Sequence, residues 1–347
     1  MNLARNKTGE LRFAVIGFGF MGRTHAEAFQ AIPSCRLVSV VDRKAVLSGD
    51  DVGSEGNIDT GASGLVIDRS KIGMFDSVAS MLEGPEIDLA IVTTPTPSHV
   101  GIAMELIHAG CNVLVEKPVS LDPNAIQSLA RTARKRNLIV MPAHCMRFWP
   151  AWAWMRGRIL DGSFGRVKRA RFRRTGAAPS WNPDFYLDPQ KSGGAIVDLH
   201  IHDTDFVIHC FGVPAAVKSI GDRSSVKTNY EFPGGPEVEA VGAWLEDPKA
   251  PFTMQADIEF ERGDLSFDLA RDPEIEIRHA DGVMTTHPEA SLGGTGYQLQ
   301  AQALADAIRS GESASPVDLD DAVRTGRVLE AELESLESGT SVKVRIE

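Results

Sequence analysis

Long apolar runs are absent from this chain of 347 residues, so no segment carries the sequence signature of a membrane-spanning helix. Positive charge is in deficit as well: 36 lysines and arginines face 47 aspartates and glutamates, for a formal net charge of −11. That balance argues against nucleic acid or an anionic membrane surface as a partner. The basic stretch Arg166-Val-Lys-Arg-Ala-Arg-Phe-Arg-Arg174 does not reverse it. Its alternation sets Arg169, Arg171 and Arg173 on one strand face, the pattern of a solvated or subunit-contacting sheet. Cysteine is scarce: Cys35, Cys111, Cys145 and Cys210 lie far apart with no C-x-x-C pair, which predicts reduced, mostly buried thiols in place of a disulfide framework. No H-E-x-x-H or other metal-specific spacing occurs, so no metal is expected. The first residues lack the charged, apolar and cleavage regions of a secretory leader, and the expected location is the cytoplasm.

What is present is an ordinary globular composition, 43% hydrophobic and 24% charged, in a chain longer than one core usually sustains. Two domains are the expectation. The most informative stretch is Leu11-Arg-Phe-Ala-Val-Ile-Gly-Phe-Gly-Phe-Met-Gly22, an apolar run that breaks into glycines spaced G-x-G-x-x-G at Gly17, Gly19 and Gly22. It predicts a buried strand turning sharply into a helix. The first glycine permits the tight turn, the second lets bare backbone approach a pyrophosphate, and the third lets helix and strand pack closely. The helix that follows, through Ile32, would turn its positive N-terminal end to the phosphates. A second strand, Arg36 to Val41, runs into Asp42, twenty residues after Gly22, where a carboxylate can hydrogen-bond both hydroxyls of an adenosine ribose. Asp42 would repel a 2′-phosphate, which favours NAD over NADP, although Arg43 or Lys44 could accept a phosphate if turned inward.

Residues 45–70 are rich in Gly, Asp and Ser and read as a surface insertion. Beyond them, strands near Ile72–Phe75, Ile87–Val92, Asn112–Val115 and Leu138–Met141 alternate with three helices. These helices cover Ser77–Glu83, N-capped by Asp76, then Val100–Ala109, stopped by Gly110, and Pro123–Arg136, N-capped by Asp122. Such alternation predicts a doubly wound parallel sheet over residues 1–146, with ligand groups at the strand C-terminal ends, where Thr94, Glu116, Lys117 and His144 fall. From Arg147 the pattern changes. A tryptophan-rich helix (Ala151–Leu160) leads into the strand Arg166–Arg174, and period-two segments follow at Val238–Leu245, Phe252–Phe260, Leu265–Leu269 and Ile275–Arg278. Helices at Tyr297–Ser310 and Leu319–Ser338 and a strand at Val342–Ile346 close the chain. A second, α+β domain on a mostly antiparallel open sheet is expected over 147–347, its last helices able to pack back on the first domain.

Residues 192–212 hold the second informative stretch. If it is helical, Asp198, His202, Asp205 and His209 fall at i, i+4, i+7 and i+11, one stripe on an otherwise apolar helix. A carboxylate beside an imidazole raises the histidine pKa and fixes its ring, as a proton-transfer residue needs. His209, nearly three turns along, is better read as packing, while His200 and Asp203 lie off the stripe and could cap it or line a pocket from its side. Lys117, between Glu116 and Pro118 at a strand end, can hydrogen-bond a reacting oxygen and stabilise its developing negative charge.

Gly17-Phe-Gly-Phe-Met-Gly22, Thr94-Pro95 with His99, Glu116-Lys117-Pro118, and Gly193-Gly194 followed by Asp198-x-x-x-His202-x-x-Asp205 resemble the motifs of the Gfo/Idh/MocA oxidoreductases, in order and spacing over nearly the whole chain. The resemblance implies an N-terminal Rossmann domain and a C-terminal α+β domain whose open sheet often builds homodimers or homotetramers. It implies NAD held by Gly17, Gly19, Phe20, Met21, Gly22, Asp42, Arg43, Thr93, Thr94, Pro95, His99, Glu116 and Lys117. It further implies a catalytic trio of Lys117, Asp198 and His202, in which His202 takes the proton of a sugar, sugar-derivative or inositol hydroxyl while the other two orient and polarise the group. His144, Arg147, Trp181 and Tyr186 depart from the family pattern and are candidates for the substrate pocket, where the two aromatics could stack on an apolar ring face. Two other readings stay open at this point: an enzyme that cleaves a glycosidic bond through transient oxidation by bound NAD, and a non-catalytic NAD-binding regulator.

Overall fold

In a computed structural model the structure describes residues 9–43, 68, 70–180, 182–287, 293–311 and 314–346. The chain forms two compact units, Met1–His144 with Tyr297–Val323, and Cys145–Gly296 with Arg324–Glu347. Of the expected insertion over 45–70, all but 68 and 70 lies outside the described residues.

The first unit begins with β1 (Leu11–Ile16), which hydrogen-bonds in parallel to β2 (Cys35–Val41) on one side and to β4 (Leu89–Val92) on the other. Both faces of such a central strand are covered, which is why β1, β2 and β4 read as continuous apolar runs instead of alternating. With β3 (Gly73–Phe75), β5 (Asn112–Val115) and β6 (Val140–Pro142) they make a six-stranded sheet in the order β3-β2-β1-β4-β5-β6. That is the doubly wound order whose switch point lies between β1 and β4. The helices between strands are α1 (Phe20–Gln30), α2 (Val78–Leu82), α3 (His99–Ala109) and α4 (Pro123–Arg136). Their ends follow the expected chemistry. Gly110 closes α3 at φ 93, and the Asp122 carboxylate caps α4 by accepting from Asn124 N. At α2 the cap is Ser77 and not Asp76: the Ser77 hydroxyl accepts from Ser80 N, while Asp76 stands one residue further out and accepts from the hydroxyls of Ser77 and Ser80. A core of Ala14, Ile16, Val92, Val113, Val115, Leu106 and Leu129, with Leu319, Ala322 and Val323 from the late helix, fills this unit.

The second unit contains α5 (Pro150–Asp161), β7 (Val167–Ala177), α6 (Pro183–Tyr186), α7 (Pro189–Ser192), α8 (Ala195–Asp198) and α9 (Ile201–Phe211). Strands β8 (Ala216–Gly221), β9 (Ser225–Glu231), β10 (Glu237–Leu245), β11 (Thr253–Phe260), β12 (Gly263–Asp268), β13 (Ile275–His279) and β14 (Met284–Thr286) follow. The chain closes with α10 (Gly296–Ser310), which with the first residues of α11 (Leu319–Ser338) belongs to the first unit, and β15 (Val342–Lys343). The nine-stranded sheet has the order β14-β13-β12-β11-β7-β10-β9-β8-β15, antiparallel except where β7 runs parallel to β10.

Strands β8 and β9 escape a hydrophobic-pattern search because two inward positions are polar. Ser219 and Thr228 are fully buried and hydrogen-bond each other at 2.8 Å. On the opposite face Arg169 pairs with Glu237 at 2.7 Å and Arg171 with Glu239 at 3.4 Å, two cross-strand pairs of opposite charge. Arg174, though part of the same basic stretch, points inward and is buried. All four cysteines are free and buried, and burial pushes Cys35 and Cys111 up to about 11. Among the described residues no helix is long and apolar enough to cross a membrane, and no group of three or more His, Cys, Asp or Glu could hold a metal ion.

Candidate functional site

At the switch point of the first unit, Gly17 adopts φ +89, and its N–H donates to Val41 O at 2.8 Å, turning the chain off β1. A Cβ at Gly22 would lie 2.1 Å from Gly17 O, so only glycine lets α1 start this close to the strand. Gly19 is exposed, and a Cβ there would meet nothing within 4 Å: the backbone ahead of α1 faces open space. Phe20 and Met21, half-buried, begin the helix, whose first turn carries no acidic residue. These features fit an anionic group seated on the helix N-terminus.

Asp42 follows β2 half-buried, its Oδ2 accepting from Phe18 N at 2.8 Å, so the carboxylate braces the glycine turn from the side. Arg43 is exposed. After β4, the Thr93 hydroxyl donates to Gly17 O at 2.5 Å, which ties this strand end to the glycine turn. Thr94 is half-buried and Pro95 exposed, and the Ser98 hydroxyl donates to Thr94 Oγ1 at 2.7 Å.

His99, which starts α3, is almost fully buried. Its Nε2 lies 2.6 Å from Thr94 O and its Nδ1 2.9 Å from Pro118 O, so it joins the loops after β4 and β5. Burial pushes its pKa down against the pull of the two carbonyls. After β5, Glu116 is buried and Lys117 half-buried. Glu116 Oε1 lies 2.7 Å from His25 Nε2, and Oε2 accepts from Lys117 N at 3.0 Å. Burial opposes the Glu116 charge, yet the hydrogen bond from His25 and the charges of His25, Lys117 and His99 hold its carboxyl below the usual range. His144, the last residue of this unit before the division, is buried.

Sequence reasoning missed His25. The signal was there: with Gly22 and Phe29 it lies on the buried stripe of α1, where an imidazole demands a partner.

In the second unit the stripe over 198–209 is not one helix. Asp198 ends the single turn of α8, Leu199 and His200 form a turn, and α9 begins at Ile201. The break is built by Ala195 O, which accepts from both Leu199 N and His200 N at 2.9 Å. Asp198 and His202 flank this break and are both half-buried.

Asp203, Asp205 and His200 are committed to the interior. Asp203 holds Arg174 through two hydrogen bonds of 2.9 and 3.1 Å, both side chains buried. Asp205 holds Arg147 through two of 2.7 and 2.9 Å and accepts a third from the Thr325 hydroxyl at 3.2 Å. His200 Nε2 lies 3.1 Å from Glu332 Oε2 and from the Tyr230 hydroxyl. Burial opposes protonation of His200, but Glu332 and Asp203 raise its pKa. So His200 and Asp203, read from sequence as cap or pocket residues, have interior side chains, His200 standing at the N-cap position of α9 without a side-chain cap hydrogen bond, and the Arg147 guanidinium is engaged by Asp205. His209 is half-buried and its carbonyl accepts from Arg156 Nε at 2.9 Å. Tyr186 is half-buried against Phe185 and Trp244, with ring centroids 5.0 and 6.3 Å away. Trp181 lies outside the described residues.

Lys117 and the residues expected to bind the cofactor thus belong to the first unit, and Asp198 and His202 to the second. Residues 11–144 match a family model described as an oxidoreductase family with an NAD-binding Rossmann fold, and residues 152–265 match the GFO/IDH/MocA C-terminal domain. The chain is 25% identical to scyllo-inositol 2-dehydrogenase (NAD(+)) of Bacillus subtilis (strain 168) over 336 residues, 90% of each chain. It is 23% identical to inositol 2-dehydrogenase of Rhizobium meliloti (strain 1021), covering 88% of this chain and 91% of the other. A solved levoglucosan dehydrogenase in complex with NADH and levoglucosan has the same fold, with a TM-score of 0.79 at 20% identity, over 96% of this chain and 99% of the other.

Proposed function

The chain belongs to the Gfo/Idh/MocA oxidoreductases, and on that premise we propose that it is an NAD-dependent dehydrogenase that reversibly oxidises a secondary alcohol of a sugar, sugar derivative or inositol. The observation that carries this reading is the row of groups at the strand ends of the first unit. There an open backbone at Gly19 precedes a helix N-terminus, and Asp42 and Lys117 stand at the ends of β2 and β5. Gly17, Gly19 and Gly22 would hold the pyrophosphate, and Asp42 the adenosine ribose; its negative charge favours NAD over NADP. When bound, the nicotinamide supplies the acceptor for the hydride that leaves the alcohol carbon.

The remaining work falls to side chains of this chain. His202 takes the hydroxyl proton on a ring nitrogen, and Asp198, across the break between α8 and α9, orients it. Lys117 donates a hydrogen bond to the reacting oxygen and stabilises the negative charge that develops there. The inositol and sugar chemistry named for the relatives supports a polyol substrate class. His202→Ala is expected to lower kcat by roughly a hundredfold or more on the best substrate of a panel of inositols, aldoses and glycosides, followed as NADH absorbance. Wild-type turnover in that variant would remove His202 from the chemistry.

A further inference from the structure

Lys117 is flanked by two buried imidazoles of its own unit. On its N-terminal side, His25 from α1 reaches Glu116 Oε1 at 2.7 Å, and Glu116 Oε2 accepts from the backbone N–H of Lys117 itself at 3.0 Å. Glu116 N in turn donates to Val92 O at 2.9 Å, so the residue is fixed at both backbone and side chain. On the C-terminal side, His99 bridges Pro118 O and Thr94 O. The His25 ring is fully buried and stands edge-on to Tyr297 at 5.9 Å, and its Nδ1 has no hydrogen-bond partner among the described residues. Nε2 is therefore the ring nitrogen that donates to the carboxylate. A buried anion held by an imidazole N–H and a backbone amide is a fixed charge, because a carboxylate with both oxygens hydrogen-bonded is favoured over its protonated form.

We propose that His25 and Glu116 are positioning residues for Lys117: the His25-held carboxylate fixes the lysine backbone and supplies the negative charge that keeps its ammonium protonated. His99 closes the other side of the same three-residue segment. The charged and titratable groups around this carboxylate are His25 from α1, Lys117 beside it and His99 from α3. No bond is made or broken by the pair. It acts by orientation and by charge, and an ammonium that stays protonated is the form able to donate to a reacting oxygen. The inference rests on the reading of Lys117 as that donor.

The test does not need the substrate. The folded protein is acetylated with trace acetic anhydride across a range of pH, and the modification of Lys117 is read by peptide mass spectrometry. Glu116→Gln keeps the shape and removes the charge; His25→Phe keeps a ring against Tyr297 and removes the donor. In Glu116→Gln, which removes the opposite charge, Lys117 is expected to label about tenfold faster than wild type at a fixed pH below its midpoint, and in His25→Phe it is expected to label faster to the extent that the carboxylate, without its donor, takes up a proton. The far-ultraviolet circular dichroism of both variants is expected to stay near wild type, separating a shifted lysine from an unfolded chain. Unchanged labelling in the folded variants would overturn the proposal. In the wild-type protein the Lys117 amide is expected to be protected from hydrogen exchange, and exchange at the rate of an unstructured peptide would also overturn it, whatever the variants do. The outcome is separable from the catalytic assignment, which the His202→Ala turnover tests and lysine labelling does not touch.

Discussion

In the first unit, Gly19, Asp42 and Lys117 stand open or half-open at strand ends, whereas in the second His200, Asp203 and Asp205 of the segment from 193 to 212 are buried in ion pairs with other elements. The two units use the polar side chains around their motifs differently. A parallel sheet delivers its strand ends to one edge by topology alone, so backbone and a few short side chains make the site. The second unit has no such edge. Its segment around the α8–α9 break is held by carboxylates spent on internal cations, and Asp198 and His202 on either side of the break are half-buried.

The sharpest way to break this comparison is to remove one of those internal carboxylates. Asp203→Ala would leave the Arg174 guanidinium buried with Met254 Sδ and the face of Trp152 as its neighbours, neither an adequate counter-charge. An uncompensated buried charge costs about 3–5 kcal/mol, so a large drop in thermal midpoint is expected by calorimetry. Replacing both partners, Asp203→Leu with Arg174→Met, should recover much of that loss, because two apolar groups of similar volume need no pairing. If Asp203→Ala kept its thermal midpoint and lost only turnover, Asp203 would belong to the chemistry and the two units would not differ in this way.

The same contrast explains what could be read from the chain. In the first unit the spacing of glycines and the position of Asp42 are local facts that translate directly into geometry. The caps at Asp122 and Gly110 place helix ends to the residue. In the second unit the role of a charged residue depends on partners far away in sequence: 29 positions separate Arg174 from Asp203, and 58 separate Arg147 from Asp205. The i, i+4, i+7 rule grouped Asp198, His202 and Asp205 as one stripe, but it assumes an unbroken helix, and the doubly accepting Ala195 carbonyl ends one after Asp198. Strands β8 and β9 were hidden by polar residues that satisfy one another inside, and His25 by a partner 91 residues on.

A smaller effect sharpens the first unit's side. Asp42 both braces Phe18 N and stands where a ribose would be recognised. Asp42→Ala is therefore expected to weaken NADH binding and to narrow the preference for NADH over NADPH by about tenfold, the loss of roughly one hydrogen bond to a charged group together with the repulsion of a 2′-phosphate. Fluorescence titration with both nucleotides measures it. An unchanged ratio would move nucleotide discrimination to another residue, with Arg43 the first to test.

The smallest effect tests whether the second unit's buried pairs behave as charges at all. His200, Glu332, Tyr230 and Thr204 form one buried cluster, with Asp203 and Arg174 facing it. Burial disfavours the imidazolium, but Glu332 and then Asp203 raise its pKa above the ordinary value of about 6.5. A group whose pKa is raised on folding adds stability that is fully present below its unfolded pKa and is lost as pH rises through the folded value. Wild type should therefore exceed Glu332→Gln in stability most below about pH 6.5, and the gap should narrow as pH rises, read as urea midpoints at several pH values. Gln can still accept from the Thr204 hydroxyl as Glu332 Oε1 does at 3.1 Å, so the variant removes charge more than contact. A gap that stayed constant with pH would mean that His200 is neutral in the folded protein. The cluster would then be a hydrogen-bonded core, and the contrast with the first unit would rest on Arg174 and Arg147 alone.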